Sequence, residues 1–122
     1  MAEVSGDVKE HFKSLILGTP IFAAIKTSCP FCVEFLNTIN RLNYSNLLQT
    51  ISEVNHAPLL EKLKEITYSN YGHKTFPMIF INGRFIGGND SFNNVLSKIK
   101  SIMNMKQLDR SLVLTPDGRY TQ

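Results

Sequence analysis

The 122-residue chain holds two cysteines, Cys29 and Cys32, separated by Pro30 and Phe31. They follow a short apolar run and precede a pattern of helical spacing, so the segment lies at a strand-to-helix junction. Cysteines three apart on one helical turn have Cα atoms roughly 5–6 Å apart, within reach of a disulfide. Cys29 would stand at the helix N-terminus, where free N–H groups and the helix dipole favour an anionic sulfur. Cys32 would lie a turn deeper, which suits a resolving thiol and leaves Cys29 as the nucleophile. The plainer reading is two small core residues on one helix face. The preceding strand, the proline within the motif and the lack of other cysteines favour a redox pair. A secreted disulfide scaffold would use more cysteines, spaced to close longer loops. A structural zinc site needs four ligands, and His11, His56 and His73 show no finger spacing with the cysteines.

The elements that must hold this pair can be read on either side of it. Residues Ser5 to Gly18 have helical spacing through Val8, Phe12, Leu15 and Ile16, with Ser5 or Asp7 able to cap the start. Gly18 and Pro20 end it. Ile21 to Ile25 is a continuous apolar run suited to a strand buried on both faces. Pro30 then takes the favoured first helical position, and Cys32, Phe35, Leu36, Ile39 and Leu42 line one face. Leu47 to Val54 reads as a diluted strand. A helix opening at Pro58 carries Leu59, Leu60, Leu63 and Ile66 inward and ends near Asn70 to Gly72. Met78 to Ile81 and Arg84 to Ile86 flank Asn82-Gly83, the preferred two-residue hairpin turn. After Gly87-Gly88, Asn89 or Asp90 can cap a last helix bearing Phe92, Val95, Leu96, Ile99 and Ile102. The order predicts an α/β fold, a four-stranded mixed sheet flanked by helices.

A chain of this length fits one core, and its 43% hydrophobic and 19% charged residues are ordinary for a globular protein. The longest apolar runs are too short to cross a bilayer, and Met1 to Asp7 lacks a positive leader and apolar core, so no membrane or secretory role is expected. The net charge of +3 comes from singly scattered Lys and Arg, which gives no nucleic-acid motif. With thiols that must cycle in a reducing compartment, a cytoplasmic location is expected.

Three blocks together resemble the glutaredoxin family of the thioredoxin fold. Lys26-Thr27-Ser28-Cys29-Pro30-Phe31-Cys32 is similar to the family's Lys-x-x-Cys-Pro-Tyr-Cys, Thr75-Phe76-Pro77 to its Thr-Val-Pro loop, and Gly87-Gly88-Asn89-Asp90 to its Gly-Gly-x-Asp turn. The similarity spans about residues 5–103. It implies a thiol–disulfide oxidoreductase that uses glutathione as co-substrate and no metal. It would reduce protein disulfides and glutathionylated proteins, coupled indirectly to glutathione reductase, as a monomer. It also implies a cis peptide bond before Pro77, which turns the Phe76 backbone toward an extended ligand beside Cys29. Glutathione is an anionic tripeptide. Lys26 and Lys74 would meet its glycyl carboxylate, Phe31 would flank the thiolate, and Gly88 would admit close backbone approach. Asn89 and Asp90 would hold the γ-glutamyl end, with Asp90 facing the ammonium. The departures are Phe31 for the commoner Tyr, Asn89 for Cys or Ser, and His73-Lys74 for Gln-Arg or Ala-Arg. An alternative family role, a [2Fe–2S] cluster bridged between two protomers, goes with a small residue at the position of Pro30 and is disfavoured by it.

These readings divide the chain into a domain over residues 1–104 and an extension over 105–122. In the extension, Ser111 to Thr115 reads as a short strand and Pro116-Asp117-Gly118 as a turn. A frayed tail is the default expectation, with an added hairpin or an oligomer contact as alternatives.

Overall fold

The structure, a computed structural model, describes residues 6–121; Ser5, the expected start of the first helix, lies outside them. The elements run α1 (Gly6–Leu17), β1 (Ile21–Ile25), α2 (Pro30–Arg41), β2 (Leu48–Ser52), α3 (Glu53–Tyr71), β3 (Met78–Ile81), β4 (Arg84–Gly87), α4 (Asn89–Asn94) and α5 (Ile99–Asn104). The strands form one mixed sheet in the order β2-β1-β3-β4, with β1 parallel to β2 and antiparallel to β3. Asn82 and Gly83 both take positive φ, at 56° and 91°, as the tight hairpin between β3 and β4 requires.

Side-chain alternation along the strands divides the core into two layers. Phe22, Ala24, Met78, Phe80 and Phe85 face α1 and α3, where they meet Phe12, Ile16, Leu60, Leu63 and Ile66. Ile21, Ala23, Ile25, Ile79, Ile81 and Ile86 face α2, α4 and α5, meeting Cys32, Phe35, Ile39, Phe92, Ile99 and Ile102. Every residue of β1 is buried, as its unbroken apolar run predicts.

Four expectations are corrected. A helical turn over Glu53 to Asn55 precedes the helix expected from Pro58; His56, at φ −145° and ψ 47°, breaks the two, and Val54 belongs to this turn rather than to β2. The last helix is not continuous: it breaks at Val95 (φ −104°, ψ 8°) into α4, a 3₁₀ turn over Leu96–Lys98, and α5. A β-branched residue after two asparagines is a weak helical run, so packing of Phe92 and Ile99 on the sheet decides the path. Gly88, not Asn89 or Asp90, is the N-cap of α4, and no side chain caps it. Finally, Arg110–Leu112 forms a 3₁₀ turn instead of a strand, with the Asp109 carboxylate accepting the Ser111 N–H at 2.9 Å.

The extension is not frayed. Val113 and Leu114 are buried against the α1/α3 layer. The Gln107 side-chain amide donates to the Leu17 carbonyl at 2.8 Å, and Arg110 pairs with Glu10 at 2.9 Å. Arg119 bridges Phe85 on the outer side of β4, where the Tyr120 N–H donates to the Phe85 carbonyl at 2.9 Å.

Candidate active site

β1 ends at Ile25, and Lys26 to Ser28 turn the chain into α2; the Cys29 N–H donates back to the Lys26 carbonyl at 3.1 Å. Pro30 opens the helix, since it has no N–H to leave unsatisfied and its φ is already helical. Cys29 is therefore the N-cap, partly exposed, and its Sγ lies 3.7 Å from the Phe76 carbonyl oxygen. Cys32 is 1% exposed, packed with Phe35 and Ile39, and its Sγ accepts the Lys26 N–H at 3.4 Å. Burial, joined by the neighbouring Cys29 and by Glu53, pushes the Cys32 thiol up to about 12, against the lowering effect of the Lys26 N–H. Cys32 thus stays a protonated, enclosed thiol, while an external disulfide can reach Cys29.

A cavity of about 640 Å³ opens beside Cys29. Lys26, Phe31, Lys74, Thr75, Phe76, Gly88, Asn89 and Asp90, all singled out in the sequence, line it together with Cys29. Cys32 and Pro77 lie buried behind its wall, and the Phe76–Pro77 peptide bond is cis. The Lys26 ammonium lies 5.0 Å over the Phe76 ring and that of Lys74 lies 5.4 Å over Tyr68. Both charges are thereby held at the rim by aromatic faces. Phe31 is 59% exposed beside them. Asn89 is buried, and its amide nitrogen donates to the Glu34 carboxylate of α2, while its Oδ1 has no hydrogen-bond partner among the described residues.

Three further residues line the cavity: Lys64, His73 and Ser91. Lys64 borders the buried stripe of Leu60, Leu63 and Thr67 on α3. Its signal was visible only as a lysine beside an apolar face, because nothing local says that α3 overhangs the Thr75 loop. His73 accompanied Lys74 in the sequence as a departure from the family pattern. Its Nε2 lies 2.7 Å from the Thr75 carbonyl oxygen. Burial holds this imidazole below its usual range, outweighing the carbonyls of Thr75 and Pro77.

Glu53 supports the thiol side from a distance. Its carboxylate accepts the Thr27 N–H at 3.0 and 3.1 Å and the Thr27 hydroxyl at 3.1 Å. These donors hold the carboxyl below its ordinary range. The link is invisible in sequence, since it spans the β1–β2 crossover.

A family model described as Glutaredoxin matches residues 21–86, from the first residue of β1 into β4. The chain belongs to the glutaredoxin family. Among curated proteins, Glutaredoxin-1 of Saccharomyces cerevisiae is 34% identical over 93 residues, covering 75% of this chain and 84% of its own. Solved structures share the fold. A buckwheat glutaredoxin–glutathione complex superposes with a TM-score of 0.70 at 22% identity, covering 80% of this chain and 87% of its own. The dithiolic glutaredoxin 2-C-Grx1 of Trypanosoma brucei brucei gives 0.67 at 25% identity, covering 76% and 95%. This glutaredoxin is accordingly a glutathione-dependent thiol oxidoreductase with its thiol pair at Cys29 and Cys32. The match ends at Ile86, so the Gly88–Ser91 wall and the extension lie beyond the family model.

Proposed function

We propose that the cavity takes the glutathionyl half of mixed disulfides, and that Cys29 is the attacking sulfur. The observation that carries this reading is a partly exposed cysteine opening onto a cavity of about 640 Å³ that is lined by three lysines. That volume falls in the range of about 300–1,000 Å³ typical of small-ligand sites. Lys26, Lys64 and Lys74 complement the two carboxylates of glutathione, and Asp90 complements its ammonium. The backbone of Thr75 and Phe76 pairs with the extended cysteinyl unit, Pro77 sets the loop, and Phe31 covers the sulfur. Gly88 leaves room for the γ-glutamyl end near Asn89. The buckwheat relative, whose structure contains glutathione, supports this choice of ligand.

The Cys29 thiolate attacks the glutathionyl sulfur, the substrate S–S bond breaks, and the departing protein thiolate takes a proton. Cys29 is left as a mixed disulfide with glutathione. A second glutathione thiolate attacks the glutathionyl sulfur, releasing oxidised glutathione and regenerating Cys29. With a protein disulfide, Cys29 forms the mixed disulfide with substrate. Cys32 then loses its proton and attacks the Cys29 sulfur, breaking the bond to the substrate, whose second sulfur departs as a thiol. The resulting Cys29–Cys32 bond is reopened by two glutathiones. Cys32 is enclosed, so the first glutathione thiolate attacks Cys29 of that bond and expels the Cys32 thiolate, which takes a proton; the second attacks the glutathionyl sulfur and releases Cys29. Glutathione reductase would return the oxidised glutathione. The cycle needs no metal, and we assign it to a cytoplasmic monomer.

The test is glutathione-dependent reduction of a glutathionylated peptide, coupled to glutathione reductase. Wild type and Cys32→Ser should turn over, and Cys29→Ser should not. Turnover by Cys29→Ser, or none by a folded wild type, would overturn the assignment. A brown wild type after anaerobic purification would favour cluster carriage instead.

A further inference from the structure

The extension reaches the cavity through a row of rings. The Arg119 guanidinium lies 5.7 Å over the Phe85 ring and donates to the Tyr71 carbonyl at 3.2 Å. Phe85 is fully buried and stacks flat on Tyr71, with centroids 4.3 Å apart and planes at 6°. The edge of this stack meets His73, whose ring centroid is 5.2 Å from that of Phe85 at an interplanar angle of 67°. His73 in turn faces the Thr75 carbonyl through Nε2 at 2.7 Å. A carbonyl only accepts, so Nε2 carries the proton and donates it. The other side of the imidazole is closed by Gly88, where an added Cβ would come within 3.4 Å of His73 Cε1. His73 is thus wedged between the two loops that form one wall of the cavity.

We propose that His73 is a positioning residue for the Thr75–Phe76 backbone and that the C-terminal extension, through Arg119, keeps it in place. The inference rests on the proposed glutathionyl site, and it adds a part of the chain that the family match does not reach. A peptide backbone that must pair with an extended ligand needs its carbonyl direction fixed before binding, because freedom there is lost on association. Thr75 is exposed and close to the cavity mouth, so solvent alone would not fix it. The His73 donor does so, and the imidazole cannot rotate away while Phe85 and Gly88 hold its two sides. Phe85 itself is pinned from outside by Arg119 and by the Tyr120 N–H on its carbonyl.

Two full-length variants separate this from general loosening. Arg119→Met keeps the aliphatic stem but removes the guanidinium. Gly118→Val displaces the extension from one residue away, because an added Cβ would sit 2.2 Å from the Leu112 carbonyl oxygen. Wild-type turnover of a glutathionylated peptide is the control for the glutaredoxin reading; its absence would sink that reading and not reach this one. Given turnover, both variants should raise KM for the peptide about three- to tenfold, below the ~10²-fold that a 1 Å misplacement can cost. Their kcat and the pH profile of Cys29 alkylation should match wild type. Arg119→Lys, which keeps a cation over the ring, should recover most of the KM. His73→Ala should raise KM at least as much, and adding Arg119→Met to it should change nothing further. An unchanged KM in both Arg119→Met and Gly118→Val would overturn the proposal. So would a full additional rise in the double variant, which would show Arg119 and His73 acting independently.

Discussion

Lys26 to Cys32, on one side of the cavity, are consecutive in the chain and take their arrangement from a strand end, a turn and the first turn of α2. His73 to Phe76 and Gly88 to Asp90, on the other side, come from two separate loops. They are held by Phe85, Tyr71 and Arg119, which belong to β4, the end of α3 and the extension. The thiol side owes its chemistry to local geometry: a proline-started helix places one sulfur at the N-cap and hides the other a turn later. The ligand side owes its shape to packing between residues far apart in sequence. Substitutions on the thiol side should therefore change the reaction, and those on the ligand side should change affinity and stability.

Cys29→Ser gives the largest effect expected, loss of coupled turnover to the uncatalysed background. Residual activity well above that background would place the nucleophile elsewhere and dissolve the contrast. On the opposite side, Phe85→Ala empties a fully buried ring site, costing about 3–5 kcal/mol in urea unfolding. A cost near zero would show that the ring row is not what unites β4 with the extension.

Cys32→Ala tests the thiol side through pH. The Cys32 thiol ordinarily titrates at 9.0 and is pushed up to about 12 in the folded protein. Above pH 9 the unfolded chain releases a proton that the folded chain retains. The stability this group contributes is complete below pH 9 and is lost as pH rises toward 12. The wild type should lose stability more steeply than Cys32→Ala across that window, and equal slopes would contradict the enclosed thiol. The smallest effect is expected from Glu53→Gln, which keeps an acceptor for Thr27 but removes the charge. It should change turnover by about twofold, the scale of a substitution that leaves the hydrogen bond in place. Glu53→Ala should do more, since the Thr27 N–H then loses its partner; equal effects would mean that the clamp is dispensable.

Much of the thiol side was legible because its signals are short-range. Cys-Pro-x-Cys, the apolar run before it and the Asn82-Gly83 turn each act within a few residues, and each stands where the sequence places it. The ligand side was legible only as motifs. Thr75-Phe76-Pro77 and Gly87-Gly88 mark the loops, and His73 stands beside the first of them, yet Lys64 joins them through the overhang of α3, which no local pattern reports. The extension misled most. Ser111 to Thr115 has the composition of a strand, but Asp109 captures the Ser111 N–H, and Leu114 takes a positive φ of 61°. Burial of Val113 and Leu114 against α1 and α3 then settles the path, a tertiary effect overriding propensity.

β4 is an outer strand of the sheet, and an outer strand exposes backbone groups on which a foreign strand can grow. Here two devices close that template. The register shift opposite Ile79 and Phe80 leaves Ile86 as a bulge, and the Tyr120 N–H occupies the outward carbonyl of Phe85, with Arg119 bridged beside it. The same few residues that end the chain therefore work as a guard against edge-to-edge aggregation. Concentrated Gly118→Val should scatter more light than wild type even where its melting temperature is unchanged.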